Sequence, residues 1–438
     1  MPMAALWKQE QTLHPTFASI NRCLEADWFL LPYELKLQRA HAVALAAAGI
    51  LSERERAAID SALEDIERRF RCASCPESDA EDLHTWVEQQ LTAQAGDAGR
   101  KIHTARSRND QVATLLKMFV IDAGKRLASD SRLLVEAMCE RAGEWSEMVF
   151  PLQTHAQFAA PGNVGFWALR YAASMDRIRR HAAFLVGEWG EFCPLGSGAV
   201  AGSLIPIDRS IQAKELGFAR PSRNALESTS CRDEIVEWLA VAGQTALHLQ
   251  AWATDVIMFS QTSLGWTVYP REFATGSSMM PNKSNPDAME LLRGEACMVQ
   301  AAHSQAILTL KGLPSGYNRD LQCLKPIVHQ AAAKLAMLME MTIAFCRGMQ
   351  FNAERLAASC KQGGIGATLR MEAKVAEGMP LREAHHGVAE ELKSAAGNAD
   401  ADVWADRADL YQTIGGASPA ETRRMAGEIL GEVRGLES

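Results

Sequence analysis

The chain lacks the signatures of several protein classes. No apolar run reaches the ~20 residues that a membrane-spanning helix needs, and Met1 to Gln11 lacks the apolar core of a secretory leader. Net charge is −8, and no arginine-rich stripe or basic tail breaks that balance, which argues against a nucleic-acid partner. Ten cysteines are scattered without a regular frame. Cys72-Ala73-Ser74-Cys75 forms one CxxC pair, but no second pair or histidine pair completes a zinc set. Reduced, mostly buried thiols in a cytoplasmic protein are therefore expected. Strand-like alternation is scarce. Pro194 to Gly202 is glycine-rich, yet no strand precedes it and no acidic ribose partner follows, so it reads as a loop and not a nucleotide cradle.

Helical periodicity is abundant. Ser52-Glu53-Arg54-Glu55 spells a capping box opening a helix through Ile59, Leu63 and Ile66. Asp110 to about Met148 contains no proline and carries an apolar face at Val112, Leu115, Leu116, Phe119 and Val120. Ile235, Leu239, Ala242, Ala246, Leu249, Ala253 and Val256 alternate steps of four and three, a seam that predicts partners beyond one chain. Further helices are expected over 288–310 and 324–346. At 438 residues several domains are expected, with boundaries near 106 and 356: a mainly helical domain 1–106, a long-helix bundle 107–356 and a small helical domain 357–438.

Four polar segments interrupt these helices. Gly276-Ser277-Ser278-Met279-Met280-Pro281-Asn282-Lys283-Ser284-Asn285-Pro286-Asp287 offers hydroxyls, amides and an ammonium to an anion, with its prolines restricting the loop. Lys101 to Gln111 includes Thr104, Arg106, Ser107, Arg108 and Asn109 where the long helix opens, a natural carboxylate site. Thr154-His155-Ala156-Gln157 follows Pro151, and Tyr317 to Lys325 adds a phenol, an amide at Gln322 and an ammonium.

The Gly276–Asp287 loop resembles the signature of the fumarase/aspartase superfamily, whose members eliminate across a Cα–Cβ bond and release fumarate. Glu81-Asp82-Leu83-His84-Thr85, the His103–Gln111 string, Thr154–Gln157, Pro194–Gly202, Ser230-Cys231-Arg232-Asp233, Leu313–Gln322 and Met379–His385 are similar, in order, to the argininosuccinate lyase family. The resemblance covers nearly the whole chain from about Glu81. It implies an all-α, three-domain fold whose central bundles assemble, in a homotetramer, into a core of about twenty helices, with each active site built from three subunits. It implies a carbon–nitrogen lyase releasing fumarate from an N-substituted aspartate, foremost argininosuccinate, without metal or organic cofactor.

Residue roles follow from the same resemblance. Ser277 is the general base, acting as an alkoxide; spacing alone does not separate it from Ser278. His155 protonates the departing nitrogen, Glu290 orients that imidazole, and Lys283 helps stabilise the anionic serine. Asn109, Thr154, Lys283 and Asn285 hold the succinyl carboxylates, with Thr104, Ser107, Arg108 and Gln157 in the same binding set. Tyr317, Gln322 and Lys325 take the amino-acid end, and Asp82 and His84 face a guanidinium. The chain also departs from the family. Leu6-Trp7 is followed by Lys8-Gln9-Glu10 and not by Gly-Gly-Arg-Phe. No serine lies among Tyr33–Gln38, just before Ala40-His41-Ala42, and Ala105, Ala160, Ser284 and Cys323-Leu324 replace a glycine, a glutamine, a lysine and an acidic pair. These changes bear on the leaving group and leave open a paralogous lyase on another N-succinyl amine or amidine. A non-catalytic protein on the same scaffold is the remaining alternative, and Ser277, His155, Lys283 and Glu290 argue against it.

Overall fold

The structure is a computed structural model that describes residues 13–394 and 403–435. The unusual Leu6-Trp7 stretch lies outside the described residues. Five long helices dominate: Arg108–Glu144, Val164–Trp189, Asp233–Phe259, Asp287–Leu310 and Leu324–Gly348. The first has 37 residues and so runs for about 55 Å. Four of the five begin within two residues of where the sequence places them. Val164–Trp189 has no counterpart among the sequence expectations. No helix among the described residues is long and apolar enough to cross a membrane.

The predicted seam is corrected by the packing. Ile235, Leu239, Ala242, Ala246, Leu249, Ala253 and Val256 are all buried within the single chain. A heptad spacing specifies a face that needs covering, and neighbouring segments of the same chain cover it. The unpartnered apolar side chains are others: Leu247, Leu291, Met298 and Met337 remain exposed on the long helices.

Compactness divides the described residues into two units. The first takes in the chain up to Arg126, Ala182–Val241 and Ala301–Ala333. Its helices Leu31–Ala47, Glu53–Phe70 and Leu83–Ala95 pack on one another, and Arg209–Leu216 packs on Leu31–Ala47. The expected capping box is present: Ser52 Oγ accepts from Glu55 N, and the Glu55 carboxylate accepts from Ser52 N at 2.8 Å. Trp28, Phe70 and Trp86 meet edge-to-face with centroids 4.9–5.9 Å apart, which closes the apolar side of this layer.

The second unit takes in Leu127–His181, Ala242–Gln300 and the described residues from Lys334 onward. Its aromatic core places Phe150, Trp167, Phe259 and Trp266 within 5.2–6.3 Å of one another in five centroid pairs. Asp255 accepts from Trp167 Nε1 at 2.9 Å and from the Tyr171 hydroxyl at 2.6 Å, so the buried edge of this cluster is satisfied. Two small β pairs stand out here. Val149–Thr154 and Gln157–Asn163 form an antiparallel hairpin, and Thr275–Gly276 pairs with Ser284–Asn285.

Candidate active site

In the second unit the chemistry-bearing residues sit on two projecting turns. Thr154 pairs with Gln157 in the hairpin register, which leaves His155 and Ala156 as its two-residue tip. Both have positive φ, 55° and 58°, the sign that a type I′ hairpin loop needs at its two central positions. Neither is glycine, so the tip holds strained backbone that its strands dictate. Thr154, His155 and Gln157 are all exposed.

The second turn is the Gly276–Lys283 loop. Thr275 pairs with Asn285 and Gly276 with Ser284, so a two-residue ladder closes the loop at its base. Thr275 Oγ1 also donates to Asp287, the first residue of the following helix. Inside the loop, Ser277 Oγ accepts from Met279 N at 3.3 Å and Met280 N at 3.1 Å. No backbone amide among the described residues donates to Ser278 Oγ, and Ser278 is exposed while Ser277 is half-buried. Geometry thus distinguishes two serines that spacing could not. Lys283 and Glu290 are exposed, and Asn285 is half-buried. Among the described residues no hydrogen bond joins His155 to Glu290 or to this loop.

The first unit carries the other candidates, and they are locked together. Asp82 caps the Leu83–Ala95 helix, accepting from Thr85 N and Thr85 Oγ1 at 2.8 Å each. Arg108 donates one nitrogen to Asp82 and another to Thr85 Oγ1 at 2.8 Å. Asp82 is therefore matched to a guanidinium of its own chain, and Arg108 is no loose surface charge. Ser107 Oγ accepts from Asn109 N at 3.3 Å, and Asn109 Nδ2 donates to Ala199 O at 3.1 Å. Thr104 O accepts from His41 Nε2 at 2.9 Å, while Gln212 Nε2 donates to His41 Nδ1 at 2.7 Å. These two bonds fix a neutral imidazole, and burial pushes its pKa well below the ordinary range. His84 is buried, and its Nδ1–H donates to Glu34 at 3.0 Å.

Asp110 was not among the sequence candidates, yet it organises this corner. It is fully buried; one oxygen accepts from Ser107 N at 2.9 Å and the other from Gly196 N and Gly198 N, each at 2.9 Å. The glycine-rich stretch is a loop, as read, although the short strand Phe192–Cys193, unexpected from sequence, leads into it, and its amides serve this carboxylate. Gly198 has φ 63°, and a Cβ there would meet Gly202 O at 2.5 Å. Burial raises the Asp110 carboxyl to about 6 against the pull of those amides and of Arg106. The Ser107-x-x-Asp110 spacing was its sequence signal. Burial, with Arg106 and Arg108 nearby, lowers His103 to about 4.

The third segment folds into the short Arg319–Cys323 turn. Arg319 ties it to Asn21 Oδ1 and Glu81, both at 2.7 Å. Tyr317 and Gln322 are half-buried. Lys325 is 3% exposed and donates to Asp27 at 2.7 Å. Burial is the largest influence and opposes its charge, but Asp27, Cys23 and Asp82 together hold its pKa above the ordinary value. Its ammonium is therefore already paired.

The chain is similar to known proteins along most of its length. The model of a family described as Lyase matches residues 13–301. An argininosuccinate lyase from Acidobacterium capsulatum is 37% identical over 382 residues, covering 86% of this chain and 78% of the relative. One from Koribacter versatilis is 38% identical over 392 residues, covering 88% and 82%. A solved EDDS lyase variant with bound fumarate has a TM-score of 0.82 at 20% identity, covering 97% of this chain and 91% of its own. At that identity the solved structure speaks for the fold alone. With its long helices, its Gly276–Asp287 loop and relatives above a third identical along most of their length, the chain belongs to the argininosuccinate lyase family, carbon–nitrogen lyases of the fumarase/aspartase superfamily.

Proposed function

We propose that this protein cleaves argininosuccinate to arginine and fumarate. The observation that carries the chemistry is the pair of backbone N–H groups on Ser277 Oγ. A serine hydroxyl is a poor base, and its alkoxide becomes usable only where fixed donors stabilise the negative charge. Ser277 then removes the proton from the carbon next to a substrate carboxylate. The resulting dianion is held by donors of the Thr104–Asn109 corner, Thr154, Gln157, Lys283 and Asn285. Collapse of the dianion expels the nitrogen, which takes a proton from His155, and Glu290 orients the imidazole. Tyr317, Gln322 and Lys325 take the amino-acid end, with Asp82 and His84 toward its guanidinium. The substrate's own carboxylate serves as electron sink, so the scheme uses no cofactor.

The working unit in this reading is a cytoplasmic homotetramer with sites shared among three subunits. Exposed Leu247, Leu291, Met298 and Met337 support it, since apolar side chains strung along bundle helices invite cover by further copies. So does the exposed, mutually unbonded state of His155 and Glu290 within one chain. The Asp82–Arg108 and Lys325–Asp27 pairs favour a second reading, in which another N-substituted aspartate is the better substrate. Ultraviolet absorbance of released fumarate decides between them. Efficient release from argininosuccinate sustains the first reading; release only from other N-succinyl amines or amidines moves the assignment to the second.

A further inference from the structure

We propose that Glu34 is a positioning residue: its carboxylate clamps the first turns of two helices together and thereby sets the Ser107–Asn109 corner that receives a substrate carboxylate. Glu34 lies on the Leu31–Ala47 helix and has no exposed surface. One oxygen accepts from Gln38 Nε2 at 2.6 Å and from Gln111 Nε2 at 2.5 Å. The other accepts from His84 Nδ1 at 3.0 Å. Gln111 is in the first turn of Arg108–Glu144, and His84 is in the first turn of Leu83–Ala95. Those are the two turns that the Asp82–Arg108 pair joins on their other side. Two independent ties thus fix one helix start against the other, and Ser107 and Asn109 flank that joint.

Charge points the same way. Arg106 is buried next to Ser107, and its Nε and Nη1 have no hydrogen-bond partner among the described residues. Glu34 exerts the largest of the carboxylate attractions on that guanidinium, ahead of Asp110 and Glu88. Desolvating a carboxylate is unfavourable, and here the donors Gln38, Gln111 and His84 and the Arg106 charge offset that cost. Gln38, near the place where the family resemblance expects a substrate-contacting serine, turns inward to this carboxylate and is fully buried. The local sequence therefore serves the clamp and not the ligand directly. Glu34 itself has no exposed surface, so its influence passes through Gln111, His84 and Arg106.

The proposal rests on the lyase reading only for what the corner receives, and its test separates the two. Glu34→Gln keeps the volume but turns one acceptor oxygen into an N–H₂ facing donors; Glu34→Asp keeps the charge with a shorter reach. Leu63→Ala, in the buried face of the adjacent Glu53–Phe70 helix, is the control for plain destabilisation. Amide hydrogen exchange on the full chain should quicken roughly tenfold over 82–86 and 104–112 in Glu34→Gln, as one unsatisfied buried partner implies. The 53–70 helix should stay protected. KM and the inhibition constant for fumarate should each rise about tenfold with kcat changed less, and Glu34→Asp should recover part of both. Should Glu34→Gln fail to fold, Glu34→Asp carries the same measurements. Uniform acceleration of exchange, or the same KM rise in Leu63→Ala at equal loss of Tm, overturns the clamp. Absence of fumarate release by the wild-type chain would sink the lyase reading, and the exchange pattern would still judge the clamp.

Discussion

The two units hold their chemistry in opposite ways. In the first, Asp82, Arg108, Asn109, Asp110 and Lys325 each have a partner within the chain, and most are buried. In the second, His155, Lys283 and Glu290 stand exposed, and Ser277 is half-buried. Binding a dianion demands donors that are already aimed, because reorienting them in the complex would consume binding energy. Proton transfer demands groups that can approach the reacting carbon and then retreat for product release. With the roles proposed above, the contrast aligns partnered groups of the first unit with recognition and exposed groups of the second with proton transfer, Lys283 serving both.

The largest expected effect tests the exposed side. Ser277→Ala removes the loop hydroxyl that two backbone amides address, while little packing changes at a half-buried position. Turnover should fall on the order of a thousandfold with folding intact, and Ser278→Ala should lose less than about tenfold. Rapid-quench or steady-state release of fumarate measures both. Equal losses in the two variants would mean that the amide pair on Ser277 does not mark the base.

A middle-sized effect tests the partnered side. Asp110 has a folded pKa of about 6 against an ordinary 3.8, so between those values the folded chain keeps a proton that the unfolded chain has released. The contribution of this group to stability therefore grows as pH falls from about 7 to about 4, on the order of 2 kcal/mol. Other carboxylates act in the reverse sense, so the difference in Tm between wild type and Asp110→Asn is the quantity to follow. Wild type should gain on the variant toward acid. Protonation also weakens acceptance from Ser107, Gly196 and Gly198, so KM should climb below about pH 6 in wild type only. A flat difference curve would show that burial does not raise this carboxyl.

How much of this was legible in the sequence follows the range of the forces involved. Helices at 53–70, 108–144, 233–259, 287–310 and 324–348 announce themselves through periodicity and caps, which are local. The hairpin around His155 was hidden because His155-Ala156 carries neither the glycine nor the asparagine that such a tip favours. The Ile235–Val256 seam was legible as a buried face, but periodicity does not say which segment covers it. Ser277 was separable from Ser278 only once Met279 N and Met280 N had positions. The partners of Asp82 and Lys325, 26 and 298 residues away in the chain, are products of tertiary folding and leave no local trace.

The smallest expected effect sharpens the contrast through backbone strain. Ala105 has φ 65° in the turn that leads to Ser107, where the family resemblance expects glycine. An L-residue there costs roughly 1–2 kcal/mol, and glycine gives back about half of that relief as extra freedom in the unfolded chain. Ala105→Gly should therefore stabilise by on the order of 0.5–1 kcal/mol, read as a small rise in denaturant midpoint at constant m-value. Ala156→Gly, at φ 58° beside the exposed His155, relieves a similar strain and should stabilise by a similar amount. Activity is where the two should part. The Ser107–Asn109 corner is held by Asp82, Asp110 and Glu34 whatever residue 105 is, so Ala105→Gly should leave kcat and KM within about twofold. Nothing beyond the hairpin strands holds residue 156 among the described residues, so glycine there frees the His155 backbone, and kcat should fall by more than KM changes. If both variants leave kcat untouched, the exposed hairpin is as well fixed as the buried corner, and the division between partnered recognition and exposed proton transfer fails.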